Sequence, residues 1–259
     1  MLKFAANLTM LFNEVPFLER FAAAAKAGFR GVEYVSPYEF YPGDIADRLK
    51  ANRLQQVLFN LPVGDWAAGE RGIAVLADRR DEFRAGVAKA ITYAKALGCP
   101  QVNCLAGIAP VGADPKVMRE TFVENLHYAA SELGRAGIRL LIEPINTRDM
   151  PGFYLNTSAQ ALDIIDVVGS PNLYLQYDIY HMHIMEGDVP ETMARNIARI
   201  KHVQIAGEPG RHEPGTGEID FAFILAHLDR LGYDGWIGAE YKPATTTTDG
   251  LGWLKQLDG

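Results

Sequence analysis

Four polar residues recur along the second half of the chain: Glu143, Asp178, Gln204 and Glu240, separated by 35, 26 and 36 residues. Each stands between apolar or non-ionisable neighbours: Ile142 and Pro144, Tyr177 and Ile179, Val203 and Ile205, Ala239 and Tyr241. A carboxylate moved from water to the edge of an apolar core costs several kcal/mol unless something compensates it. If the four converge, their three carboxylates repel one another, and protonation, cationic side chains or a metal must answer that repulsion. Lys201 and Arg211 are the nearest cations in sequence, with Lys242 beyond Tyr241, so an ion-pair network is one answer. A divalent cation is the more economical one. Three carboxylates and one amide oxygen form an all-oxygen set, which suits Mg²⁺ or Mn²⁺ better than Zn²⁺.

The surrounding sequence supplies elements able to bring such residues together. Strand-like runs occupy 4–11, 31–37, 55–62, 101–107, 139–145, 173–179, 201–207 and 236–241. Between them lie helical patterns such as 15–28, 81–98 and 117–137, several ending in Gly just before the next strand, as helix C-caps do. The joint "AGFRGVE" (27–33) is echoed by "LGYDGWIGAE" (231–240), each pairing a Gly-aromatic turn with a glutamate-bearing strand. Eight strands alternating with helices over 259 residues predict a (β/α)8 TIM barrel formed by residues 1–259 as a single domain. A doubly wound open sheet is the structural alternative, but no GxGxxG follows the first strand. In a parallel barrel, chemistry collects at the C-terminal strand ends. Side-chain alternation then turns the four polar residues into the barrel mouth while their neighbours pack under the helices.

Composition narrows the partners. A formal net charge of -7 disfavours a nucleic-acid partner, because an acidic surface repels phosphate backbones. No run approaches the ~18–20 apolar residues of a membrane span. The apolar start "MLKFAANLTMLF" is interrupted by Asn7 and Thr9 and reads as a first strand. Two cysteines, Cys99 and Cys104, make no disulfide framework and suit a reducing, cytoplasmic setting. Matches to the N-glycosylation pattern at Asn7 and Asn156 are then chance.

The segments "GDWAAGERGIA" (64–74), "IEPIN" (142–146), "QYDIYHMHIMEG" (176–187), "HVQIAG" (202–207), "RHEPGTGEIDF" (211–221) and "GAEYKP" (238–243) carry a further signal. Together, and in this order over essentially the whole chain, they resemble the hydroxypyruvate isomerase family, part of the xylose-isomerase-like barrel group. The resemblance implies a divalent metal held by Glu143, Asp178, Gln204 and Glu240, with Glu143 and Glu240 as an acid/base pair. Many sugar epimerases of the group have His where this chain has Gln204, which favours the hydroxypyruvate branch and a harder metal. The implied reaction interconverts hydroxypyruvate and tartronate semialdehyde through an enediolate. One carboxylate removes a proton and a second carboxyl returns it to the adjacent carbon.

On the same resemblance, the partner is a small keto or hydroxy acid, and homo-oligomerisation is left open. His181 is expected to donate to a substrate oxygen, its alternative being an ordinary loop histidine. Arg71, Arg211 and Lys242, with His212 beside them, are candidates to hold the substrate carboxylate. For Arg71, in a long loop after the third strand, the alternative is a salt bridge to Glu70 or Asp65. His183 is expected near the surface, and His202 inside as a satisfied core histidine. Cys104 has no evident His partner for nucleophilic chemistry. Other readings share the barrel: a 2-oxo-tetronate isomerase, a ketose 3-epimerase, or a sugar-acid binder without turnover. An endonuclease IV-type nuclease would need a histidine cluster and a basic groove, against which Gln204 and the acidic charge both speak.

Overall fold

The computed structural model describes residues 2–257 and contains a closed barrel of eight parallel strands. The strands are β1 (Lys3–Asn7), β2 (Gly31–Glu33), β3 (Gln55–Asn60), β4 (Gln101–Cys104), β5 (Arg139–Ile142), β6 (Leu173–Asp178), β7 (Ile200–Ile205) and β8 (Trp236–Ala239). They pair in chain order, and β8 closes on β1 through Lys3–Trp236 to Ala6–Ala239. The expected (β/α)8 barrel is therefore the observed fold. No helix among the described residues is long and apolar enough to cross a membrane.

The intervening helices form for local reasons. α1 (Phe17–Lys26), α2 (Pro42–Asn52) and α3 (Arg80–Leu97) precede α4 (Pro115–Arg135), which places Met118, Phe122, Leu126, Ala129 and Leu133 on one buried face. The Asp114 carboxylate accepts from the Lys116 N–H, and Pro115 takes the first helical position, so the start of α4 is doubly specified. Gly98 ends α3 in a left-handed conformation, as the sequence pattern predicts. α5 (Ser158–Val168), α6 (Ile179–Met185), α7 (Val189–Asn196), α8 (Phe221–Arg230) and α9 (Gly252–Leu257) complete the set.

Every strand stops short of its predicted C-terminal limit. β5 ends at Ile142, because Pro144 has no N–H to continue a ladder. Ile179, expected to end β6, instead opens α6. The residues released from the ladder build the barrel mouth.

The apolar core is divided unequally. One large cluster lies between strands and helices, whereas the smaller cluster of Ala5, Val57, Leu58 and Leu141 has, among the described residues, Tyr174 and Trp236 packed against it. Much of the remaining interior is polar. Asn7, Glu33, Asn60, Glu143, Gln176, Gln204 and Glu240 line one small internal space. Within it the Glu33 carboxylate accepts from Asn7 Nδ2 at 3.1 Å and Gln204 Nε2 at 2.7 Å, and lies 2.6 Å from His202 Nε2. His202 is buried, as expected, but not satisfied: beyond the approach to Glu33, neither ring nitrogen has a hydrogen-bond partner among the described residues.

Gly238 leaves room for this arrangement. A Cβ at that position would lie 2.3–2.5 Å from the Glu33 carboxylate atoms, closer than any real contact. Glu33 has little freedom to retreat, since three buried partners hold it. Gly238→Ala is accordingly expected to destabilise the protein by about 1–3 kcal/mol, the usual cost of overpacking. Urea unfolding of the two proteins measures this, and equal stability would show that Glu33 moves freely.

Candidate functional site

The register of the barrel delivers the site. Glu143 and Glu240 each follow the last residue of a strand, and Asp178 is the last residue of β6. Asp178 also caps α6: its Oδ1 accepts from the Tyr180 N–H at 2.8 Å and the His181 N–H at 3.3 Å. The Asp-Ile-Tyr-His spacing thereby lays His181 over Asp178 within one turn. Ligand atoms from Glu143, Asp178, His181 and Glu240 all lie within 4.8 Å of one another, and all four residues are buried. Gln204 sits beside Asp178 in the β6–β7 register. Its Nε2 donates to Glu33 and its Oε1 accepts from Gln176 Nε2 at 2.7 Å.

One arginine faces this cluster. Arg211, in the loop after β7, is held in a left-handed conformation with φ 57, a strained choice for a non-glycine residue. Its carbonyl accepts from the Lys242 N–H at 2.7 Å. Its Nη2 lies 2.6 Å from Glu240 Oε2 and 3.6 Å from Asp178 Oδ2, and its guanidinium covers the Tyr180 ring at 5.2 Å. Although burial works against its charge, Glu240, Asp178 and Glu143 raise its pKa.

A single cation does not balance three carboxylates. Burial pushes Glu143 well above the usual carboxylate range, with Glu240 and Asp178 adding to the shift. Burial likewise raises Asp178 and pushes Glu240 up to about 8, against the opposing pull of Arg211. His181 is driven well below its ordinary value, first by burial and then by Arg211. The fit to a metal ion follows from the donors: the carboxylates converge, and Asp178 Oδ2 is buried with no hydrogen-bond partner among the described residues. The cluster could therefore hold a metal ion, which would offset the excess negative charge.

The other expected site residues are less central. Arg71 stacks on Trp66 at 3.8 Å and donates to the carbonyls of Trp66 and Glu70, so its contacts stay within its own loop. It forms no salt bridge to Glu70, whose carboxylate pairs with Arg79 at 2.6 Å. Lys242 is exposed, and its carbonyl lies 2.9 Å from His212 Nδ1. His183 is half-buried, 3.8 Å from Glu218. Both cysteines are buried free thiols; burial pushes Cys99 up to about 12, and Cys104 higher still.

Sequence reasoning missed four residues that touch the cluster or its supports. Asn7 Nδ2 donates to both Glu33 and Glu240, each at 3.1 Å. Asn103 Nδ2 donates to Glu143 Oε2 at 2.8 Å, and Asn146 Nδ2 lies 2.7 Å from His181 Nδ1. Glu33, the fourth, lies in the 27–33 segment echoed by 231–240, and in the barrel it pairs with Asn7 of β1. Asn7 was legible only as an irrelevant glycosylation match.

Comparison with known proteins agrees with this fold. A family model described as Xylose isomerase-like TIM barrel matches residues 21–257. Hydroxypyruvate isomerase of Escherichia coli (strain K12) is 52% identical over 254 residues, which is 98% of each chain. A 2-oxo-tetronate isomerase of Cupriavidus necator is 50% identical over 257 residues, 99% of each. A crystal structure from Brucella melitensis, described as AP endonuclease, family 2, superposes with TM-score 0.97 at 47% identity, covering 99% of both chains.

The raised carboxyl pKa values have a consequence for stability. Between the ordinary carboxylate range and about 8, native Glu240 keeps a proton that the unfolded chain releases. The native state then binds more protons, so stability falls as pH rises through that window, by up to ~1.4 kcal/mol per pH unit for each proton. A divalent cation favours the ionised carboxylates and should flatten the decline. Urea unfolding across this pH range, with chelator or with Mg²⁺, is expected to show that difference. Coincident curves would mean that the cluster binds no cation.

Proposed function

The chain belongs to the xylose isomerase-like TIM barrel family, and on that premise we propose that it is a metal-assisted isomerase interconverting hydroxypyruvate and tartronate semialdehyde. The observation that carries the proposal is the convergence of Glu143 and Glu240, from β5 and β8, on one buried cluster with Asp178 and His181. Two carboxyl groups that reach the same small space can serve adjacent carbons of one substrate.

Glu143, Asp178, Gln204 and Glu240 are the residues that would hold the cation, Mg²⁺ or Mn²⁺ by the hardness of their oxygens. Gln204 Oε1 accepts one hydrogen bond and retains a second lone pair for this purpose. When bound, the metal supplies Lewis acidity that acidifies the substrate C–H and stabilises its developing oxyanion.

The chain's own groups do the rest. One glutamate takes the proton from the hydroxymethyl carbon of hydroxypyruvate, leaving an enediolate. The other glutamate returns a proton to the former carbonyl carbon, while the hydroxyl hydrogen passes between the two oxygens, so the atoms balance. Burial that raises both carboxyl pKa values makes them stronger bases once ionised. His181 faces the cluster as a donor to a substrate oxygen, and Arg211 carries the charge to meet the substrate carboxylate. Arg71 and Lys242 are left to the rim, where loop closure would decide their contact. We take residues 1–259 as a single cytoplasmic catalytic domain.

A second reading, 2-oxo-tetronate isomerase, is favoured by the Cupriavidus relative. Both substrates are 2-oxo acids with a hydroxylated carbon beside the carbonyl, so the same groups serve either. A nuclease reading has less support. The metal-capable cluster contains one histidine among three carboxylates, and a chain of formal charge -7 is poorly suited to a phosphodiester backbone.

Hydroxypyruvate, 2-oxo-tetronates, ketoses and abasic DNA, offered in turn, separate these readings, with proton exchange in deuterated water followed by NMR. Hydroxypyruvate is expected to turn over; turnover of a tetronate alone selects the second reading, and inertness toward every 2-oxo acid overturns both. Glu240→Gln is expected to retain the fold and lose more than ~10²-fold in rate, as removal of an acid/base group does. Chelation should abolish turnover and Mg²⁺ or Mn²⁺ restore it, whereas full activity without metal would remove the cofactor from the mechanism.

A further inference from the structure

The Asn146 side chain is buried, and its orientation is over-determined. Its Oδ1 accepts from the Asp149 N–H at 2.7 Å, and its Nδ2 donates to Asp149 Oδ2 at 3.2 Å. Reversing the amide would set oxygen against carboxylate oxygen and NH₂ against N–H, two mismatches at once. Asp149 is itself anchored, because its Oδ2 accepts from the Tyr180 hydroxyl at 2.7 Å. Asn146 Nδ2 is therefore a donor, and it lies 2.7 Å from His181 Nδ1. An amide NH₂ cannot accept, so Nδ1 must offer its lone pair and the ring proton resides on Nε2.

At the other nitrogen the partners are mixed. His181 Nε2 lies 3.5 Å from Asp178 Oδ2, 4.0 Å from Glu143 Oε1 and 3.4 Å from Arg211 Nη2. A neutral ring accepts one hydrogen bond only, and two donors compete for it. The Asn146 contact is shorter by a wide margin, 2.7 Å against 3.4 Å, and the short partner of Arg211 Nη2 is Glu240 Oε2 at 2.6 Å. Asp178 Oδ2, by contrast, is an acceptor without a hydrogen-bond partner among the described residues, with the Arg211 ion pair at 3.6 Å beside it.

We propose that Asn146 is a positioning residue that locks His181 as the Nε2–H tautomer, making it a neutral hydrogen-bond donor into the site and excluding it from the metal ligands. This rests on the isomerase reading, in which a substrate oxygen acquires negative charge beside Nε2. A protonated Nε2 has no lone pair for a cation, so proximity to the carboxylates does not make His181 a ligand. An imidazole fixed in this way stabilises an oxyanion without adding a proton equilibrium of its own.

The test reads the tautomer directly. In protein with ¹⁵N-labelled histidine, His181, assigned by its absence in His181→Gln, should show an unprotonated Nδ1 and a protonated Nε2. The pattern should be unchanged by Mg²⁺. A protonated Nδ1, or loss of the Nε2 proton on adding Mg²⁺, overturns the proposal. Asn146→Asp replaces the donor by an acceptor and should move a proton onto Nδ1. Its kcat should fall by about 10²-fold, the usual scale for a lost oxyanion donor, with KM changing less. Retention of the wild-type tautomer in the folded variant overturns the role of Asn146, whatever happens to the rate. If the variant does not fold, the wild-type spectrum still decides. Because no substrate is present, failure of the isomerase assignment leaves the tautomer result intact. An inverted tautomer in an active isomerase would overturn this inference alone.

Discussion

Mutual repulsion among Glu143, Asp178 and Glu240 is the constraint around which the barrel mouth is arranged. Their ligand atoms lie within 4.8 Å of one another in a buried pocket. At about 5 Å and an effective dielectric of about 20, each like-charge pair costs roughly 3 kcal/mol. One arginine cannot offset three such charges, even pressed against Glu240 and Asp178. Protonation, favoured by the upward shift of all three carboxyl groups, or a cation can meet the remainder. The two responses are exchangeable, as the proposed proton transfer requires. A carboxyl that can be neutral or ionised at neutral pH can be acid or base without large rearrangement.

Holding such groups in place requires an interior unlike an ordinary apolar barrel core. The central plug of Ala5, Val57, Leu58 and Leu141 is small, and polar side chains from several strands occupy the space above it. Glu33 is the hub of that layer. As an acceptor, its carboxylate orients the amides of Asn7 and Gln204, and through them it reaches Glu240 and Gln176. The gap at Gly238 is the space in which Glu33 sits. The site is thus supported from below by directed hydrogen bonds, where apolar packing alone would leave the amides free to flip.

The fold and the three carboxylates of the cluster were readable from sequence, for the same reason, whereas Gln204 lies beside Asp178 and bonds to Glu33 and Gln176. Strand alternation and unit spacing are periodic, so Glu143, Asp178, Gln204 and Glu240 stand out against apolar neighbours. Asn7, Asn103 and Asn146 carry no such signal. Each is a small amide whose function depends on a partner far away in sequence, as Asn7 depends on Glu240 and Asn103 on Glu143. Strand limits were overestimated because apolar residues continue past the point where the ladder stops, as at Ile179 and Ile145. Loop placement was the least legible feature. Arg71 lies in one of the segments that carry the resemblance, yet stacking on Trp66 decides its position, and the spacing of charges does not reveal that contact.

His181 shows why proximity alone is a poor guide to role. It stands as close to the carboxylates as they stand to one another, and by distance it would be counted among metal donors. The difference lies on the far side of its ring, where Asn146 supplies a hydrogen rather than a lone pair. Had an aspartate stood there, it would accept from a protonated Nδ1, and nothing would fix Nε2 as the ring's one donor. With an asparagine, the carboxylates would keep a metal ion and the protons to themselves, while the imidazole would offer one fixed hydrogen to developing charge. Separating these tasks keeps a neutral donor within a negatively charged cluster. The residue that enforces the separation touches neither the carboxylates nor the metal they would hold.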